Sequence, residues 1–226
     1  MNISSLQFAI FYRSYFLDYK KYARELCELF LEDTPEINDV KNIDSAPCDY
    51  ILYALEDKSN YKISITKQRT DLLYMPKEKI PLHDEYIDIF VNKVKSCVEK
   101  FITPTNLCSR IGFINSSYLS IEEPNAHVVD HFYKDEFNKN ATDINMSFNI
   151  RDNFKDFEVN KVFSLIAIKN QQQDDSMLSN IVSVNYDINT RGMKESMPQK
   201  FIFDFIDNYS KEFTKEHMES MTYGKL

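Results

Sequence analysis

The hydrophobic pattern of this chain switches between a period of two and a period of about 3.6 residues, and that switching confines it to a mixed α+β architecture. Leu6, Phe8, Ile10 and Tyr12 alternate with Gln7, Ala9 and Phe11, which predicts a well-buried opening strand. From Asp18 the spacing turns helical. Tyr19, Tyr22, Ala23, Leu26, Leu29 and Phe30 share one stripe, which Thr34-Pro35 ends, and Asp33 to Pro47 reads as a polar loop. Tyr50 to Leu55 and Tyr61 to Thr66 predict a hairpin across Glu56-Asp57-Lys58-Ser59-Asn60, with Lys67-Gln68-Arg69 ending its second strand. Pro76 and Pro81 bracket another loop. A helix from about Asp84 to Phe101 should turn Ile87, Phe90, Val91, Val94, Val98 and Phe101 inward, and Leu107 to Leu119 returns as a strand. This order is β-α-β-β-α-β, the split βαβ or ferredoxin-like arrangement.

The second half reopens with a short helix, Asn125 to Phe137. Ile144, Met146, Phe148 and Ile150 alternate; Val162 to Ile168 is more continuously apolar and should be more buried; Val182, Val184, Tyr186 and Ile188 alternate again. Asn170 to Asp175 is a polar hairpin loop, and Pro198 begins a long closing helix with Phe201, Ile202, Phe205, Ile206, Tyr209 and Phe213 on one side. The fold expected is therefore α+β: two pseudo-duplicated ferredoxin-like halves, residues 1–121 and 122–226, closely packed, with mainly antiparallel sheets and helices on one face.

Three glycines in 226 residues, Gly112, Gly192 and Gly224, leave no way to write a Gly-rich phosphate cradle. Cys27, Cys48, Cys97 and Cys108 form no CxxC pair, so a reduced, cytoplasmic protein is expected. No leader pattern opens the chain and no apolar run reaches the length of a bilayer span. The formal charge of −8 and only six arginines argue against a nucleic-acid surface and favour protein partners, basic ones especially.

The constellations that could carry chemistry are thin. His127 and His131, four apart on a helix, could share a metal, but the Glu of HExxH is missing and no third ligand is evident nearby. Ser116 and Ser117 come without a G-x-S-x-G elbow, and Cys108 falls in a strand, where inert packing is the simpler reading. Glu122-Glu123, Asp135-Glu136 and Asp174-Asp175 read as solvated acids, and Asp18 and Asp84 as helix N-caps. The binding candidates are Arg110 and Asn115, the ends of Arg110-Ile111-Gly112-Phe113-Ile114-Asn115, together with Arg69. Their structural alternative is that Arg110 pairs with an acid across the sheet and Gly112 leaves room for a helix above it. Core filling accounts for the 31 Phe and Tyr residues.

Three segments carry a resemblance across most of the chain: the strand ending in Arg69 with the aromatic helix Tyr86-Ile87-Asp88-Ile89-Phe90, the Arg110-x-Gly112-x-x-Asn115 strand, and Val184 to Asn189 followed by a helix with Phe213-Thr214-Lys215-Glu216. In these the chain resembles a sporadically distributed, functionally uncharacterised bacterial family of about this size. Phe203-Asp204-Phe205-Ile206 departs from it, standing where such proteins tend to carry a leucine-histidine pair. The resemblance implies no catalytic residues. Its patchy distribution looks like that of accessory genes in antiviral defence, including genes beside CRISPR nucleases.

The function expected is a non-catalytic protein-interaction or accessory factor of a prokaryotic defence system, modulating a larger, basic, nuclease-type protein, with no cofactor and with a homodimer through an open sheet edge. Two alternatives stand beside it. One is an RNA-binding or RNA-processing protein with paired ferredoxin-like halves, disfavoured by the charge and by having only Gly192 and Gly224 near the end. The other is a metal-dependent hydrolase using His127 and His131.

Overall fold

The computed structural model describes residues 1–13, 19–32, 36–38, 53–56, 60–66, 68–102, 107–133, 144–169, 180–192 and 196–225, with 19–21, 36–38 and 53–56 described by backbone alone. Among the described residues ten strands form one sheet: β1 (Asn2–Tyr12), β2 (Glu36–Asn38), β3 (Tyr53–Glu56), β4 (Tyr61–Ile65), β5 (Arg69–Tyr74), β6 (Ile80–Pro81), β7 (Cys108–Ser120), β8 (Ile144–Phe154), β9 (Phe157–Lys169) and β10 (Asn180–Thr190). Their order is β2-β3-β4-β5-β1-β7-β10-β9-β8, with β6 pairing to the start of β1. All the pairings are antiparallel. The helices are α1 (Tyr19–Phe30), α2 (Asp84–Phe101), α3 (Pro124–Phe132), α4 (Gln199–Tyr209) and α5 (Lys215–Thr222), and a 3-10 turn, Ser210–Phe213, joins the last two.

α2 and β7 form where the pattern places them, and the hairpin forms from Tyr53 onward, its Tyr50–Leu52 part lying outside the described residues, but β5 is an additional strand that shifts the strand roles by one. Arg69 opens a strand instead of ending one, and β5 lies between β4 and β1. A split βαβ unit keeps its two parallel strands apart with an antiparallel strand between them, and β5 takes that place between β1 and β4, with β7 on the far side of β1. Among the described residues 122–226 add the meander β8-β9-β10 and do not repeat that order. β7 then pairs with β1 on one side and β10 on the other, so segments 1–121 and 122–226 contribute to one continuous sheet. Three further differences are local. Glu36–Asn38 is a strand within the expected loop, α3 ends at Phe132 rather than Phe137, and the closing helix breaks at Ser210 into the 3-10 turn and α5. The Asp57–Ser59 part of the hairpin turn and the Asn170–Asp175 loop lie outside the described residues.

Burial alternates along the central strands. Leu6, Phe8 and Ile10 of β1, Ile111 and Phe113 of β7, Val182 to Ile188 at every second residue of β10, and Phe163, Leu165 and Ala167 of β9 face one side. The helices cover that side. α2 buries the six residues its period selects, together with Cys97. α4 adds Phe201, Ile202, Phe205, Ile206 and Tyr209, while Val128 and Val129 of α3 and Met218 and Met221 of α5 complete one cluster. Phe213 lies at its centre, 4.5 Å edge-to-face from Phe113 and 5.7 Å from Tyr186.

Among the described residues no helix packs on the opposite face. That is why Val162 to Ile168 is not buried throughout: Ile166 and Ile168 point to the uncovered side and are exposed. β8 is exposed on both faces from Ser147 to Asn153, because the helix layer stops short of this edge strand.

Candidate functional site

The open face of the sheet carries an ordered polar cluster across its middle strands. In register, Phe11 of β1 has Arg69 of β5 on one side and Arg110 of β7 on the other. Their guanidinium carbons lie 4.8 and 5.0 Å from the Phe11 ring centroid, within cation–π range. The next rung reads Asp71, Ala9, Gly112 and Asn189. Arg69 donates from Nε and Nη2 to Asp71 Oδ1 at 2.9 and 2.7 Å, and Gln7 Nε2 donates to the same oxygen at 2.7 Å. Arg110 Nη2 donates to Asn189 Oδ1 at 3.1 Å, and Asn189 Nδ2 passes the chain to Asp187 Oδ1 at 3.1 Å. Burial pushes the Asp187 carboxyl above its usual range, against the pull of Asn189 and of the Arg110 and Arg69 charges. Arg110 Nε is buried and finds no hydrogen-bond partner among the described residues, a donor left over by this network.

Two of the three sequence candidates, Arg69 and Arg110, are thus brought together. The third is not. Asn115 is five residues along the strand from Arg110 and therefore on the other face, fully buried. Its Nδ2 donates to the Phe213 carbonyl at 3.3 Å and its Oδ1 accepts from Ser117 at 2.7 Å, so it ties β7 to the turn between α4 and α5. Gly112 also differs from expectation, since it faces the open side and not a helix. A Cβ there would meet Asn189 Cβ at 3.6 Å and Asp187 Oδ1 at 3.9 Å, ordinary contact. Arg110 reaches its acid through Asn189, whereas Arg69 pairs directly with Asp71. Sequence reasoning missed Phe11, Asp187 and Asn189, although all three share the non-core parity of their strands.

The other candidates have structural occupations. His127 Nε2 donates to the Thr222 carbonyl at 3.0 Å and His131 Nδ1 to the His127 carbonyl at 2.8 Å, with the Tyr223 ring edge-on to both imidazoles at 5.1 and 5.0 Å. The pair thus docks the end of α5 onto α3. Among the described residues no three His, Cys, Asp or Glu side chains are grouped as metal ligands. Ser116 donates to Asn185 at 2.8 Å and Ser117 to Asn115, and neither has an imidazole partner. Burial pushes the Cys97 and Cys108 thiols up to about 12 and Cys27 to about 11, far from thiolate reactivity. Glu123 pairs with Lys169. Asp84 opens α2 without capping it: its Oδ1 accepts the Lys215 backbone N–H at 3.1 Å, fastening α2 to the start of α5 beside a shallow depression of about 420 Å³. Asp18, Cys48, Asp135-Glu136 and Asp174-Asp175 lie outside the described residues. Also among the described residues, no helix is long and apolar enough to cross a membrane. No family model and no curated protein matches this chain.

Proposed function

We propose that the chain is a non-catalytic accessory factor that binds and modulates a larger protein through the open face of its sheet. The observation that carries this reading is the Arg69–Phe11–Arg110 row. An aromatic ring and two guanidiniums, the residue types that dominate interface energies, stand partly exposed on the sheet face that no described helix covers. Hydrogen bonds to Asp71, itself held by Gln7, and to Asn189 already fix the two arginines, so little side-chain entropy is left to lose on binding. The net charge of −8 steers a basic partner toward this acidic molecule. The resemblance to an uncharacterised family whose patchy distribution looks like that of defence accessory genes makes a nuclease-type effector encoded nearby the partner to test first.

A second reading draws on the same row: an aromatic flanked by arginines on an open sheet is also how single-stranded RNA is stacked and held. The ring already lies against both cations, and Asp71 offsets Arg69, so the protein reading is preferred.

Co-purification with the products of neighbouring genes tests the proposal. Wild-type protein should retain a partner in stoichiometric amount, and Arg110→Glu should weaken it by roughly tenfold or more, the ~1.4 kcal/mol expected of an anchor side chain. Absence of any such partner, or one indifferent to both Arg69→Glu and Arg110→Glu, would overturn it. A salt-sensitive mobility shift of labelled RNA would favour the second reading instead.

A further inference from the structure

We infer that two copies of this chain join antiparallel along β8, each extending the other's sheet. This surface is the edge, separate from the open face, so the inference stands or falls independently of the partner reading.

An eleven-residue edge strand with no Lys and no Pro is rarely left bare, because its unpaired N–H and C=O groups template association. The opposite edge, by contrast, is the three-residue β2. β8 also exposes Phe148 at 37% and Ile150 at 52% on the side where the helix layer has ended. Its hydrogen-bonding phase is fixed by the two-residue turn that closes Phe154 against Phe157. Counting back from that closing pair, the even-numbered residues spend their backbone groups on β9, and the odd-numbered ones, Asn145 through Asn153, aim theirs outward.

A two-fold axis through Asn149 satisfies three requirements at once. It overlaps the full strand, Ile144 opposite Phe154 of the second copy, and sets outward-aimed residues opposite one another. It brings Phe148 of each copy opposite Ile150 of the other, in the pair type where side chains approach most closely. And it opposes Arg151 to Ser147 and Asp152 to Met146, with no like charges facing. Registers centred nearer the turn, on Arg151 or Asp152, set each charge against itself. The two helix layers stay on one side of the joined sheet, flanking the Phe148 and Ile150 cluster rather than colliding over it.

Light scattering should give wild-type protein twice the monomer mass at micromolar concentration. Ile150→Lys, at a site already exposed, should give the monomer mass with unchanged circular dichroism. The register is read by oxidative cross-linking against the wild-type cysteine background. Asn149→Cys should cross-link to itself, Asn145→Cys alone should not, and Asn145→Cys mixed with Asn153→Cys should. A monomeric wild type, a dimer that survives Ile150→Lys, or Asn145→Cys linking to itself as readily as Asn149→Cys would each overturn the inference.

Discussion

Gly224 shows how one residue can be required twice. Its φ of +68° lies in the left-handed region, its N–H bonds the Met221 carbonyl, and the Lys225 N–H bonds the Ser220 carbonyl, the Schellman closure of α5. A Cβ at this position would also come within 2.7 Å of the His131 carbonyl. Gly224→Ala should therefore cost at least the ~1–2 kcal/mol of left-handed backbone, read as a lower midpoint in urea unfolding. The neighbouring His127 gives a pH dependence. Burial first, and then the His131 charge, lower its pKa, so below the unfolded value of about 6.5 the unfolded chain binds more protons than the native one. Stability from this site is present above that pH and is lost as pH falls through it toward the depressed native value. The melting temperature should drop between pH 7.5 and 5.5, and drop less in His127→Gln. At this scale strand parity was the legible signal. Arg110 and Asn115 differ by an odd number, which alone assigns them to opposite faces, and Phe11 shares its parity with Gln7 and Ala9. What parity does not tell is which strands become neighbours, so the meeting of Arg69 with Arg110 over one ring had no trace in the local sequence.

Elements were legible where their periodicity was long. α2 runs from Asp84 to Phe101 as its apolar spacing requires, and β1, β7 and β10 follow theirs. β5 was hidden because Leu72, Leu73 and Tyr74 form a short apolar run without clean alternation, although Leu73 points to the open face while its neighbours are buried. β8 failed in a different way: its alternation marks a face, but whether anything covers that face depends on how far the helix layer extends. The break after α4 matters because it delivers Phe213 into the space between Phe113 and Tyr186, with its carbonyl held by Asn115. Phe213→Ala should remove about 3–5 kcal/mol of stability, larger than any substitution on the open face, when both are measured by chemical denaturation.

For the whole molecule, the shared strand β7 couples what the sequence divides at residue 121. Its two ladders run from Asn2↔Tyr118 to Tyr12↔Cys108 and from Ile181↔Ser120 to Asn189↔Gly112. Thermal unfolding followed by near-UV and far-UV circular dichroism should accordingly show one coincident transition; two separated midpoints would mean that the halves melt independently.

The same arrangement sets an order of events during synthesis. β1 leaves the ribosome well before β7, and Phe8 must find Phe113, about a hundred residues later. At roughly 5–20 residues per second the nascent strand waits on the order of 5–20 s, its Leu6, Phe8 and Ile10 without a core to enter. Chaperones that shield such early apolar segments should govern how much of this protein a cell recovers in usable form.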